Sequence, residues 1–178
     1  MRILGIDPGT RALGYGVIDA SGSAVVGVAW GTFEVGPIDH AERLRALHGE
    51  IVRVIEAHRP AELAIEMPVM GRNPQSALKL GRAQGAAMVA AARLDLPVTQ
   101  YTPAEVKKAV VGNGQAAKEQ VAYMVAAQLG VALDAGHDAS DALAVAICHA
   151  HRVEVGAGGR FKDWESFVRG HPGRIRRL

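Results

Sequence analysis

The sequence predicts one α/β domain, a mixed sheet with helices on its faces. Three observations point there. Short apolar runs with strand-like alternation are interleaved with longer stretches of helical periodicity. The first three strand-like runs follow one another through turn residues alone, whereas the later two are each preceded by a helix. The length, 178 residues, suits a single domain with a sizeable core.

Residues 3–7 form a short apolar run stopped by Pro8-Gly9, a pair suited to a type II turn with Gly9 at positive φ. Leu13, Tyr15 and Val17 alternate, which makes 12–20 a second strand. Gly22 supports a hairpin into a third strand at 24–35. Leu44, Leu47, Ile51, Val54 and Ile55 then recur at helical spacing, so 40–58 is a helix ended by Pro60. A strand at 63–66 is stopped by Pro68, and a loop covers 67–74. A long helix of Ala, Gly, Leu and Met fills 75–94, and 97–101 is a fifth strand. Pro103 suits the first position of a short helix through Val110. Gly112-Asn113-Gly114 breaks the chain before helices at 117–129 and 139–153. A parallel strand after a helix needs a right-handed crossover, which the 40–58 helix supplies.

Composition narrows the function classes. Hydrophobic residues make up 49% but aromatics only 4%, so the core is filled by small side chains. The net charge of +2 is compatible with nucleic-acid contact without demanding it. A single cysteine, Cys148, excludes an internal disulfide and a cysteine zinc site, and on an apolar helix it reads as a small hydrophobe. The apolar start is too short for a signal peptide and no segment is long enough to span a bilayer, so a soluble cytoplasmic protein with no membrane association is expected. After Val155 the composition shifts: Gly156, Gly158 and Gly159 are followed by Arg160, Lys162, Arg169, Arg174, Arg176 and Arg177 against Asp163 and Glu165. The expected division is a domain at 1–155 and a basic, mostly flexible tail at 156–178.

The acids carry the chemical signal. Asp7 and Glu66 each end an apolar strand, where a carboxylate is costly unless compensated. Asp138 and Asp141 are three apart at the start of the last apolar helix, hence on one face and favoured by the helix dipole. Taken singly, each has a structural explanation: Asp7 could cap a turn, Glu66 could pair with a lysine, and Asp138 could be an N-cap. Together, four carboxylates without an arginine partner in their own segments would repel if they met. Hard divalent cations resolve such repulsion, and two of them can activate water and stabilise a leaving oxygen in phosphodiester hydrolysis.

Gly5-Ile6-Asp7-Pro8-Gly9-Thr10, followed by Gly14-Tyr15-Gly16, resembles the opening of the RuvC Holliday-junction resolvases. Further matches follow in order: Ala64-Ile65-Glu66; Asn73 with Ser76-Ala77-Leu78-Lys79-Leu80-Gly81; Val106-Lys107 with Val110-Val111-Gly112; and His137-Asp138-Ala139-Ser140-Asp141-Ala142-Leu143-Ala144. Five ordered motifs over roughly residues 1–153 are far more specific than a lone Asp-x-Gly-Thr. The resemblance implies an RNase H-like fold, a five-stranded mixed sheet with helices on both faces. It implies a homodimer making paired symmetric cuts in four-way junction DNA during recombination and repair, with a preference for T-rich sites. It assigns catalysis and metal binding to Asp7, Glu66, Asp138 and Asp141, with two Mg²⁺ ions, or Mn²⁺ as substitute. A branch-migration helicase complex of the RuvA and RuvB type is an implied partner.

Lys107 and Lys118 occupy lysine positions of the family motif and offer point charges to phosphate, Lys118 near a helix N-terminus. Arg72, Lys79 and Arg82 border the loop and helix after Glu66 and are further candidate phosphate contacts. Solvated surface is the usual fate of such residues and the alternative reading for all five. His137 beside Asp138 could assist proton transfer, although a structural role is the commoner one. The family usually places an aromatic in the loop after Glu66; here Val69 stands in its place and cannot stack on a base. Met70 beside it offers a polarizable partial substitute. Two other readings compete. An actin-like or sugar-kinase ATPase also opens with an acidic strand end and a Gly-Thr hairpin, but needs two such domains, and no second motif is present. A junction-binding module without cleavage would have no need of all four acids.

Overall fold

Strand alternation decides which side chains face which helices. The computed structural model describes residues 1–9, 12–36, 38–68, 74–133 and 137–158. The strands are β1 (Arg2–Pro8), β2 (Ala12–Ser21), β3 (Ala24–Glu34), β4 (Glu62–Glu66) and β5 (Val98–Tyr101). The helices are α1 (His40–His58), α2 (Pro74–Ala92), α3 (Pro103–Val111), α4 (Lys118–Leu129) and α5 (His137–Gly158). The sheet order is β3-β2-β1-β4-β5. β1 pairs antiparallel with β2, and β2 with β3, whereas β4 runs parallel to both β1 and β5. The expected mixed sheet of five strands is therefore present.

Each face of the sheet closes a separate core. Leu4 and Ile6 of β1, Leu13 and Val17 of β2, and Leu63 and Ile65 of β4 pack with Leu47, Ile51 and Ile55 of α1 and Ala83, Ala87, Ala90 and Ala91 of α2. Ile3, Ile18, Ala64 and Tyr101 point the other way, against Val106 and Val110 of α3, Val121 and Val125 of α4, and the buried run Leu143–Cys148 of α5. Since a strand alternates with period two, Asp7 must share its face with Ile3 and Gly5, and Glu66 with Glu62 and Ala64. Both acids point to the α5 side.

Helix ends follow local chemistry. Asp39 caps α1 by accepting from the Ala41 and Glu42 amides. Arg59, before Pro60, takes a left-handed conformation with φ 49°, and its amide closes on the Ile55 carbonyl at 2.7 Å. Thr102 and Glu105 form a reciprocal capping box around Pro103. Gly112 and Gly130 end α3 and α4 at φ 80° and 65°.

Three sequence expectations shift. Gly9 does not have positive φ; instead, a Cβ there would lie 2.1 Å from the Ala12 carbonyl oxygen, so close approach explains the glycine. α2 ends at Ala92 rather than 94, where Asp95 takes φ 53° in the following turn. α5 begins at His137 and continues to Gly158, past both ends of the expected 139–153 helix, so Gly156 and Gly158 are helical. Residues 159–178 of the expected tail lie outside the described residues.

α5 lies unusually close to β1 and β2. A Cβ on Gly5 would sit 2.1 Å from the Ala142 carbonyl oxygen, one on Gly14 2.0 Å from that of Asp138, and one on Gly16 2.8 Å from the Leu143 side chain. Both of the closest obstructions are backbone and cannot rotate away. Gly5→Ala should therefore destabilise the protein by about 1–3 kcal/mol or more in urea titration at neutral pH. A midpoint equal to the parent's would show that α5 is not seated at this depth.

Candidate active site

The acids arrive from three elements. Ile6 and Ile65 are partners across the parallel β1–β4 pair, and Asp7 and Glu66 each stand one residue beyond them. Across β1–β2, Asp7 faces Gly14, whose missing side chain admits the Asp138 backbone. Asp138 and Asp141 occupy the first turns of α5, brought over Asp7 by that approach.

Two adjoining clefts meet at this point. Asp7, Glu66 and Pro103 line both. One, of about 390 Å³, is completed by Pro8, Gly9, Met67, Pro68 and Leu80. The other, of about 190 Å³, is completed by Val106, Lys107, Lys118, Val121, Asp141 and Ala144. Asp138 lines neither, and its charge adds to the repulsion on Asp7. Thus Asp7, Glu66, Asp141, Lys107 and Lys118 converge, with Asp138 at the margin.

The field is strongly unfavourable to ionised acids. Burial, then repulsion from Glu66, Asp141 and Asp138, pushes the Asp7 carboxyl up to about 8, with Lys118 opposing. Burial, then Asp141, pushes Glu66 up to about 7, with Lys118 and Lys107 opposing. Among the described residues neither Asp7 nor Glu66 has a hydrogen-bond or ion-pair partner. Lys118 Nζ donates to Asp141 Oδ2 at 2.8 Å, and that bond raises the lysine's own pKa. Lys107 Nζ donates to the Ala116 carbonyl at 2.8 Å, which fixes a partly buried ammonium at the cleft wall.

Oxygen donors, desolvated and in excess of positive charge, are what a hard divalent cation requires. Among the described residues no three acid, histidine or cysteine side chains stand close enough to enclose one ion by themselves. The set fits Mg²⁺ in its usual mode, in which a few carboxylates leave room for waters and substrate phosphate.

The remaining candidates are more scattered. Lys79 and Arg82 are exposed on α2 and line neither cleft. Val69, Met70 and Arg72 lie outside the described residues. Cys148 is buried and its thiol is pushed up to about 12 by desolvation, as expected for an inert small hydrophobe. The sequence reading passed over Glu62, Tyr101 and His149, which form a hydrogen-bonded chain behind the site. Parity with Glu66 on one strand was the available signal for Glu62; a histidine in an apolar helix offered none until α5 was placed. No helix among the described residues is long and apolar enough to cross a membrane.

The chain matches, over residues 3–149, the family model described as crossover junction endodeoxyribonuclease RuvC. A relative of that name from Salinibacter ruber is 51% identical over 177 residues, covering 98% of this chain and 99% of its own. Another, from Ruegeria pomeroyi, is 52% identical over 151 residues, covering 85% and 92%. The structure of Thermus thermophilus RuvC in complex with Holliday junction substrate superposes with a TM-score of 0.82 at 35% identity, covering 88% of this chain and 96% of that one.

The clustered acids make a test that needs no substrate. Unfolded carboxyls titrate at roughly 4. Folded Asp7 and Glu66 hold their protons up to about 8 and about 7. Between those limits the unfolded state binds fewer protons, so in EDTA stability should fall as pH rises from about 4 to about 8. Asp7→Asn removes the larger contribution. Its melting temperature should exceed the parent's at pH 8, and the gap should close towards pH 4. A variant no more stable than the parent at pH 8 would show that Asp7 is not under this strain.

Proposed function

Since the chain belongs to the crossover junction endodeoxyribonuclease RuvC family, we propose that it resolves Holliday junctions by paired, symmetric hydrolysis of phosphodiester bonds in recombination and repair. It is a nuclease with the RNase H-like arrangement of a mixed five-stranded sheet and helices on both faces. The observation that carries this reading onto its own residues is the convergence of Asp7, Glu66 and Asp141 from β1, β4 and α5 beside two lysines.

In this reading Asp7, Glu66, Asp138 and Asp141 hold divalent cations, Mg²⁺ with Mn²⁺ as substitute, at two positions. When bound, the ions would activate water and stabilise the leaving oxygen. The protein's own groups do the rest. Asp7 and Glu66, short of water and partners, ionise when a cation offsets their mutual repulsion. Lys118 neutralises Asp141 and becomes free to meet phosphate once that carboxylate is otherwise engaged. Lys107, held by the Ala116 carbonyl, presents a fixed charge to the backbone of the bound strand. Lys79 and Arg82, exposed on α2, would be further phosphate contacts, and Arg72, Val69 and Met70 would face the junction centre.

Two cuts related by symmetry call for two active sites, and a two-fold homodimer supplies them. The outward face of α2 supports this: Leu78 and Val89 are 56% and 54% exposed, and a Cβ at Gly81 or Gly85 would meet nothing. Residues 1–155 would form the nuclease unit, with 156–178 a basic extension. A nuclease acting in recombination and repair would work in the cytoplasm, and a branch-migration helicase complex of the RuvA and RuvB type would be its partner.

Asp7→Asn should reduce Mg²⁺-dependent cleavage of a labelled four-way junction to background while leaving junction binding in a mobility shift intact. The change keeps shape and removes charge. Glu66→Gln, Asp138→Asn and Asp141→Asn should behave alike. Substantial cleavage by the Asp7 variant would overturn the assignment.

A further inference from the structure

His149 lies on α5 two turns beyond Asp141, 2% exposed, with both ring nitrogens engaged. Tyr101 Oη lies 2.8 Å from Nδ1, and Glu62 Oε2 lies 2.8 Å from Nε2. One ring nitrogen thus meets a hydroxyl and the other a carboxylate, with donor and acceptor roles set by the ring's tautomer. Tyr101, 1% exposed, is the β5 partner of Glu66, and its carbonyl accepts from the Met67 amide at 2.7 Å. The Arg152 guanidinium covers its ring at 5.5 Å and pairs with Glu105 at 3.0 Å. One side chain of α5 is thus tied to the start of β4 and the end of β5, the two strands that frame Glu66.

The spacing gives this tie a consequence. From Glu62 to Glu66 is four strand residues, about 13 Å at the usual rise. From His149 back to Asp141 is eight helical residues, about 12 Å. The two rulers run in opposite directions and nearly agree. With His149 bonded to Glu62 and Tyr101 together, the other end of this stretch of α5 brings Asp141 into the cleft that Glu66 lines, and Asp141 is the acid whose charge weighs most on Glu66. Ala144, Val145, Ala146 and Ile147, between the two ends, are buried small or aliphatic side chains whose packing carries no directional bond towards β4 and β5. The hydrogen bonds at His149 add that direction to the close seat of α5 on Gly5 and Gly16, because a directional bond weakens steeply when its geometry is lost.

We propose that His149 is a positioning residue for the nuclease reaction: by binding Tyr101 and Glu62 it sets the register of α5 on β4, and so the separation of Asp141 from Glu66. It touches neither substrate nor metal. The proposal rests on the reading of Asp7, Glu66, Asp138 and Asp141 as the metal-binding set.

The test is direct titration of the full chain with Mn²⁺, following free ion by electron paramagnetic resonance, so that the readout is binding and not turnover. His149→Leu keeps an apolar, buried side chain and removes both bonds; Tyr101→Phe removes one and keeps the ring. Cys148→Ala is the control, since it removes buried atoms from the next position of α5, and with them a contact to the Glu105 carbonyl, while His149, Tyr101 and Glu62 keep their own side chains. Expected is a roughly tenfold rise in the Mn²⁺ midpoint for His149→Leu, the low end of what groups orienting metal ligands contribute. Tyr101→Phe should show a smaller rise and Cys148→Ala none, with junction binding in EDTA unchanged in all three. If His149→Leu lacks a cooperative melt, Tyr101→Phe against Cys148→Ala decides. Midpoints at the parent's value in the His149 and Tyr101 variants, or an equal shift in the control, would overturn the proposal. Asp7→Asn separates the two claims. A shift there with none at His149 or Tyr101 refutes the positioning role alone; no shift at Asp7 refutes the metal-binding reading, and the proposal with it.

Discussion

No Cβ fits between the start of α5 and the β1–β2 pair, and the rest of the molecule depends on that constraint. Gly5, Gly14 and Gly16 leave the strand backbone bare on one face, and the carbonyls of Asp138 and Ala142 move into the space. The helix that carries two acids can then lie directly over the strand that carries a third. With ordinary side chains at those positions α5 would stand further off, and Asp138 would lose its influence on Asp7. The same seat explains why α5 is buried from Ala142 to Ala150, running as a central element on its face of the sheet rather than as an amphipathic cover.

That geometry creates an electrostatic cost, which the site turns to use. Asp7 and Glu66 are short of water and of donors, and they repel each other and α5. A hydrophobic core on each face tolerates this because the acids sit at the strand ends, where the clefts open. Lys118 and Lys107 offset part of the repulsion, but Lys118 is committed to Asp141 and Lys107 to a carbonyl. The shortage of positive charge beside Asp7 and Glu66 is what a divalent cation would balance, with coordination positions left for a substrate phosphate.

Much of this was legible in the sequence, for identifiable reasons. The order of elements was readable because alternation in Leu13, Tyr15 and Val17 and helical spacing in Leu47, Ile51 and Ile55 are both strong patterns. Period-two parity, which was not drawn on at that point, puts Asp7 with Gly5 and Glu66 with Ala64. What parity could not show was that the two strands lie side by side, because pairing of β1 with β4 depends on a crossover and not on either segment. Gly9 was assigned to a turn conformation when its reason is the Ala12 carbonyl, a contact no local pattern reports. Lys118 was read as a phosphate contact from its motif, and its bond to Asp141 became visible only when α4 and α5 were placed together. The tie through His149 links positions 87 and 48 residues apart, beyond any spacing rule.

On the proposed function these carboxylates form a cation site waiting for its charge, and anomalous diffraction from crystals of the protein soaked in Mn²⁺ would reveal it. An anomalous peak is expected in the cleft between Asp7 and Glu66, on the side of Asp141, with the Lys118 ammonium moved off Asp141. Crystals in which Lys118 stays on Asp141 and no peak rises near Asp7 at saturating Mn²⁺ would contradict it.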